Sequence, residues 1–65
     1  DMVRVGDRVY HFLDMKNVGT VLNITQEGSN VHLEGGTSQQ QFILHVRLDD
    51  GRIVQMRRED VLKAD

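Results

Sequence analysis

The sequence predicts a small all-β domain, one barrel of four to five antiparallel strands with a short helical turn near the C terminus. Three observations support this fold class. Apolar and polar residues alternate over residues 42–48, which is typical of a half-buried strand. β-Branched residues are frequent at the apolar positions, and no long stripe with the 3.6-residue period of a helix is present. A chain of 65 residues has room for one domain, and closing a small sheet hides its edges.

The clearest local prediction is a hairpin in the C-terminal half, between strands at residues 42–48 and 52–57. Gly51 in the intervening Asp-Asp-Gly can adopt the positive φ that such turns require. A two-residue loop would set Val46 against Gln55 and bring polar residues onto the apolar face. A three-residue loop with a bulge at Gly51 sets Val46 against Val54. We therefore predict the three-residue loop, which gives an inner face of Phe42, Leu44, Val46, Val54 and Met56.

The N-terminal half provides two more predicted strands, residues 9–12 and 19–25, joined by a turn at residues 13–17. In the second strand, Val21, Leu22 and Ile24 place apolar side chains on both faces. This pattern indicates a bulge or a strand that is buried on both sides.

Two segments remain outside these strands. Residues 26–39 are polar and contain glycine, so we predict a loop or the tip of a hairpin, with the highest mobility near residues 34–38. Residues 58–63 are predicted to form a short helical turn, with Val61 and Leu62 packed beneath the barrel. Residues 1–65 then form a single domain.

Composition excludes several classes of protein. Without cysteine the chain has neither disulfides nor thiolate metal ligands, and its small size leaves a thin stability margin that a second copy would increase. The chain has eight Lys and Arg and ten Asp and Glu, which give a formal net charge of −2. This charge disfavours phosphate binding over the whole surface but permits a local basic patch. No apolar run approaches the about 18 residues of a membrane helix, and no signal-peptide pattern is present. We expect a cytoplasmic protein that does not bind membranes.

No pattern of catalytic residues is present. The serines lack the sequence context of a nucleophile, and the Gly35-Gly36 pair is not followed by the lysine and helix of a phosphate-binding loop. His11, His32 and His45 lie on separate segments without the spacing of metal ligands. We expect no catalytic residue, no metal site and no cofactor, and therefore not an enzyme.

Two surfaces are candidates for binding a partner. On the outer face of the predicted C-terminal hairpin, arginine beside exposed aliphatic residues suits protein recognition, and the same arginines could hold phosphates. A simpler interpretation is that Ile43 and Ile53 form a cross-strand pair covered by the long loop. A second patch combines Tyr10 and Phe12 with Arg8 and Lys16, unless Phe12 belongs to the core. The residues expected to contact a partner are Ile43, His45, Arg47, Ile53, Gln55, Arg57, Tyr10 and Arg8.

Several short motifs give the chain a family resemblance. They are Val-Gly-Asp-Arg-Val at residues 5–9, Gly-Thr-Val-Leu at residues 19–22, Val-Arg-Leu-Asp-Asp-Gly at residues 46–51 and the closing Val61-Leu62. Together they resemble SH3-like barrels of the KOW and Tudor-like type, most closely the C-terminal Tudor-like tail of bacterial DNA-repair helicases. His11 matches a histidine common in those tails. The motif glycines Gly6 and Gly19 suit tight turns, and Val9 and Val21 suit the core of a narrow barrel.

The resemblance implies a non-catalytic module that docks on a protein of the transcription or DNA-repair machinery, such as RNA polymerase. A nucleic-acid-binding domain of the KOW type is the second hypothesis. The third is a small structural or assembly subunit that forms homo-oligomers.

Overall fold

The computed structural model describes the backbone of residues 2–32 and 38–64, and the side chains of residues 2–27 and 41–64. Within these residues there are five strands, namely β1 (Arg8–His11), β2 (Asp14–His32), β3 (Ser38–Leu48), β4 (Ile53–Arg57) and β5 (Val61–Lys63), with a 3-10 turn at Arg58–Asp60. All strand pairs are antiparallel, in the order β4-β3-β2-β1-β5. The predicted all-β fold class with a short helical turn near the C terminus is confirmed.

The predicted register of the C-terminal hairpin is also confirmed. Val46 pairs with Val54 and Leu44 with Met56. The Leu48 amide donates to the Arg52 carbonyl at 2.8 Å, which closes a loop of the three residues 49–51. Gly51 has a φ of 95°, the left-handed conformation that glycine adopts without steric cost.

The core lies on one side of the sheet. Val9, Val21, Leu44 and Val46 are fully buried, and Val54 and Met56 pack against them from β4. Phe42 is the exception among the predicted inner residues, because it lies outside this cluster with the Arg58 guanidinium 4.2 Å above its ring. The other members of the buried cluster are Leu48 and Val61.

Gly19 does not occupy the turn that its motif suggested. It lies inside β2, where a Cβ atom would stand 2.5 Å from Val46 Cγ1 and 2.7 Å from the Arg47 carbonyl oxygen. The absence of a side chain therefore allows β2 to approach β3 closely. Gly6 does occupy a turn, with a φ of 92°.

The bulge predicted in the second strand is present. The register between β2 and β3 shifts between Val21 and Asn23, which leaves Leu22 unpaired in the ladder and exposed to solvent. Because the bulge absorbs one residue, Val21 and Ile24 both pair with inner-face residues of β3, Val46 and Leu44.

Several predicted boundaries are wrong. The turn after β1 consists of Phe12 and Leu13 alone, and β2 begins at Asp14, so most of the predicted turn at residues 13–17 is strand. Near the C terminus the 3-10 turn has three residues, and Leu62 lies exposed in β5 rather than beneath the sheet. Val61 is buried as predicted.

The polar segment at residues 26–39 has strand at both ends, because β2 continues to His32 and β3 begins at Ser38. This agrees with the hairpin alternative over the described part of the segment. The mobility predicted at residues 34–38 falls largely on residues 34–37, which lie outside the described residues.

Candidate functional site

The outer face of the sheet carries rows of side chains that run across the strands. Arg8 pairs with Thr20, Thr20 with Arg47, and Arg47 with Ile53, so these residues form one row from β1 to β4. Directly opposed residues share a face and lie within contact distance of each other. The next row consists of Asn23, His45 and Gln55, and the row after it of Thr25, Ile43 and Arg57.

The predicted partner-binding residues differ in exposure. Arg47, Ile53, Gln55 and Arg57 are exposed and lie together on β3 and β4. His45 is half-buried, with its Nε2 3.0 Å from Thr25 Oγ1.

The predicted roles of the two isoleucines need correction. Ile43 is only 9% exposed and lies between Thr25 and Arg57, so it contributes little to an accessible surface. It does not form a cross-strand pair with Ile53, because the register places Ile53 opposite Arg47. Ile53 is therefore the exposed aliphatic residue of this hairpin.

Arg8 is engaged by Asp49, at the start of the β3–β4 turn. Its Nη1 donates to Asp49 Oδ1 at 2.7 Å and its Nη2 to Asp49 Oδ2 at 2.6 Å. The hydrogen bonds lower the pKa of Asp49 and raise the pKa of Arg8. Nη1 also donates to Thr20 Oγ1 at 3.0 Å. The guanidinium is thus bound by side chains of its own chain, although it stays exposed to solvent.

Most other cations on this part of the molecule also carry their own carboxylate. Arg57 Nε lies 2.8 Å from Asp60 Oδ2, and this hydrogen bond raises the pKa of Arg57. Arg52 is paired in the same way with Asp50, at 2.8 Å. Arg47, by contrast, forms no ion pair with any described side chain.

A shallow groove of about 350 Å³ lies beside Arg47. Leu22 contributes an exposed apolar side chain to it because the bulge in β2 turns this residue out of the ladder. Ile53 lies next to Arg47 in the outer row. The residues lining the groove are Thr20, Leu22, Arg47, Leu48, Asp49 and Gly51.

The second predicted patch is divided between two places. Tyr10 is half-buried in β1, opposite Val18 and Leu62, whereas Phe12 lies beyond the end of β1 in the turn. Tyr10 and Phe12 would share a face only if the strand continued to Phe12, but β1 ends at His11. The His11 ring stacks on the Phe12 ring at a centroid distance of 4.9 Å.

The turn between β1 and β2 is an apolar projection. Phe12 is 50% exposed, Leu13 76% and Met15 63%. Backbone hydrogen bonds hold this segment, from Phe12 N–H to the Asp60 carbonyl at 3.0 Å and from Leu13 N–H to His11 Nδ1 at 3.1 Å. We call residues 12–15 the apolar turn.

Sequence reasoning missed Leu13, Met15 and Leu22. Leu13 and Met15 fell within a segment predicted as a turn. Large apolar residues are unusual in a turn, and their presence there was itself a signal of an exposed apolar surface. Leu22 had the wrong parity for its strand, which correctly indicated a bulge, but its position beside Arg47 depends on the pairing of β2 with β3.

The described residues offer neither a metal-binding cluster nor a buried polar side chain without a partner. No cluster of three or more His, Cys, Asp or Glu in this part of the chain is arranged to hold a metal ion. Every buried side-chain nitrogen or oxygen described has a hydrogen-bond partner. No helix within the described ranges has the length and apolarity to cross a bilayer.

The fold and its outer face define a small all-β domain that carries an arginine-lined groove and an apolar turn. No protein-family model, no curated protein and no solved structure is significantly similar to this chain.

Proposed function

We propose that this domain is a non-catalytic protein-interaction module that binds its partner through the outer face of β3 and β4. The observation that carries the proposal is the environment of Arg47, which has no ion pair with a described side chain and lies beside exposed Leu22 and Ile53. A guanidinium can form two parallel hydrogen bonds with a carboxylate, while the neighbouring aliphatic residues provide area from which water is excluded.

We further propose that the partner belongs to the transcription or DNA-repair machinery, with RNA polymerase as the first candidate. Its support is the resemblance to the Tudor-like tails of bacterial DNA-repair helicases. The same resemblance makes the cytoplasm the proposed compartment. The strand order, with β1 between β2 and β5 and a 3-10 turn before the last strand, is compatible with the SH3-like barrel that the resemblance implies.

A nucleic-acid-binding domain of the KOW type is the second candidate, and the ion pairs disfavour it. Arg8, Arg52, Arg57 and Lys63 each lie within 4.0 Å of a carboxylate. To hold a phosphate, each of these cations would first have to leave its partner. A KOW-type domain predicts affinity for RNA or DNA that falls steeply with salt, by a slope near one per phosphate contact. No binding at low salt would exclude it.

The test of docking is a binding titration against purified core RNA polymerase. We expect Arg47→Glu to weaken binding at least about tenfold, the effect of losing a central interface arginine. Arg4→Glu is the matched control, because Arg4 is also exposed without an ion pair to a described side chain but lies outside the outer rows. Unchanged binding of the variant that carries both Arg47→Glu and Arg57→Glu would show that the outer face of β3 and β4 does not contact RNA polymerase.

A further inference from the structure

The apolar turn and the groove have complementary chemistry. In the turn, Leu13 and Met15 flank Asp14, and all three are exposed. The Asp14 carboxylate accepts a hydrogen bond from the Asn17 amide at 2.7 Å, a neutral donor that leaves its negative charge in place. In the groove, the aliphatic side chain of Leu22 lies beside the guanidinium of Arg47. The turn thus presents a negative charge between two apolar side chains. The groove, elsewhere on the same molecule, presents a positive charge beside an apolar side chain.

We propose that the apolar turn of one copy of this chain docks into the groove of a second copy, with Asp14 of one copy paired to Arg47 of the other. Asp49 does not compete for Arg47, because Arg8 already binds both of its carboxylate oxygens. The guanidinium of Arg47 therefore remains open to the incoming carboxylate. The inference shares the groove with the proposed function but concerns a different occupant.

A turn cannot reach the groove of its own chain. The pairing of Arg8 with Thr20 and of Tyr10 with Val18 holds the β1–β2 hairpin extended. Asp14 lies opposite His11 and Thr20 opposite Arg8, so three strand positions of about 3.3 Å each hold the turn roughly 10 Å from the groove along the strands. The contact must be made between molecules.

The hydrogen bonds within the turn favour docking. Phe12 N–H is bonded to the Asp60 carbonyl and Leu13 N–H to His11 Nδ1. A segment already held in one conformation loses little conformational entropy when it binds. Charge also favours another protein over an anionic membrane, because Asp14 lies at the centre of the turn and the chain carries a net charge of −2.

The geometry of this contact predicts its stoichiometry and strength. A turn on one patch and a groove on another make a head-to-tail interface, which extends into a series of oligomers unless it closes into a ring. A contact made by one turn is smaller than the roughly 1,200 Å² of a stable interface, so we expect weak association. A second copy in the groove would exclude a docking partner, which makes the module less available when it is locally concentrated.

The test is sedimentation of the intact chain from micromolar to millimolar concentration. We expect the average mass of the unmodified protein to rise with concentration. Asp14→Lys and Arg47→Glu should each weaken the self-association at least about tenfold. The variant that carries both changes restores the opposite charges and should regain it. Glu27→Lys and Arg4→Glu make the same changes of net charge at other exposed positions and should associate like the unmodified protein.

Three results would overturn the proposal. They are a monomer at every concentration, single variants that associate normally, and a double variant that stays as weak as the single ones. Amide chemical shifts provide a second measurement that does not depend on any variant. With rising concentration, the amides of Leu13 and Met15 should shift together with those of Leu22 and Arg47. Since no partner protein is present, failure here does not affect the docking titration against RNA polymerase.

Discussion

Arg8 and Asp49 form a two-point ion pair across 41 positions of sequence, with donor–acceptor distances of 2.7 and 2.6 Å. The pair connects β1 to the turn between β3 and β4. In the sheet β1 and β3 are not adjacent, because β2 lies between them. Both side chains are solvent-exposed, so the pair contributes modestly and its contribution is sensitive to salt.

The first prediction concerns the pH dependence of this ion pair. Because the hydrogen bonds from Arg8 lower the pKa of Asp49 below 3.8, the folded state binds the proton less well than the unfolded chain does. The stabilisation is therefore present above pH 3.8 and disappears as the pH falls through the lower, folded pKa. We expect Asp49→Asn to be less stable than the unmodified protein at neutral pH and to approach it in strong acid.

Urea unfolding across a series of pH values, at low and high salt, measures this difference. Asp14→Asn is a suitable control, because Asp14 is exposed and forms no ion pair with a described cation. A difference between Asp49→Asn and the unmodified protein that does not change with pH would contradict the assignment of the stabilisation to Arg8.

The second prediction concerns the close approach of β2 to β3 at Gly19. A methyl group there would overlap Val46 Cγ1 and the Arg47 carbonyl oxygen, at 2.5 and 2.7 Å. The second atom belongs to the backbone and cannot move aside by rotating a side chain. We expect Gly19→Ala to reduce the free energy of unfolding by about 1–3 kcal/mol, the usual cost of overpacking a core.

Gly51→Ala separates this steric cause from a conformational one. Nothing lies within 4 Å of a Cβ at Gly51, but its φ of 95° is unfavourable for alanine. Val46→Ala removes a buried side chain and is itself destabilising. Its cost should be smaller in the Gly19→Ala variant than in the unmodified protein, and unchanged in the Gly51→Ala variant. Equal responses of the two glycine variants to Val46→Ala would show that Gly19 is not limited by contact with β3.

The third prediction distinguishes the two faces of the C-terminal hairpin. Leu44 is fully buried and Ile53 is exposed. We expect Leu44→Ala to cost about 2–5 kcal/mol, enough to unfold much of a domain this small. Ile53→Ala should change the stability by no more than about 0.5 kcal/mol. Thermal unfolding followed by circular dichroism measures both, and a large loss for Ile53→Ala would place its side chain against the core.

Local patterns predicted the C-terminal hairpin well. A shift of one residue moves every side chain to the opposite face, so the alternation from Phe42 to Leu48 left only one register with an apolar interior. The pairing of Val46 with Val54 confirms that choice. The bulge at Leu22 was predictable for the same reason, since two neighbouring apolar residues cannot both face the core of a regular strand.

Features that depend on distant parts of the chain were not predictable in this way. Nothing near Arg8 in the sequence indicates that Asp49 would bind it, and Gly19 looked like a turn residue until its neighbours in β3 were known. The burial of Ile43 has the same origin, because its parity assigns it to the outer face. Parity predicts which face a side chain lies on and does not predict what covers that face.

The pairing of β5 with β1 has a consequence for how the domain is made. Val61 lies opposite His11, and the Ala64 amide donates to the Arg8 carbonyl at 2.8 Å. During synthesis the N-terminal part of a chain emerges from the ribosome first. β1 consequently lacks one neighbour until residues 61–64 emerge, so a nascent chain stopped before them would expose the hydrogen-bonding edge of β1 to other polypeptides.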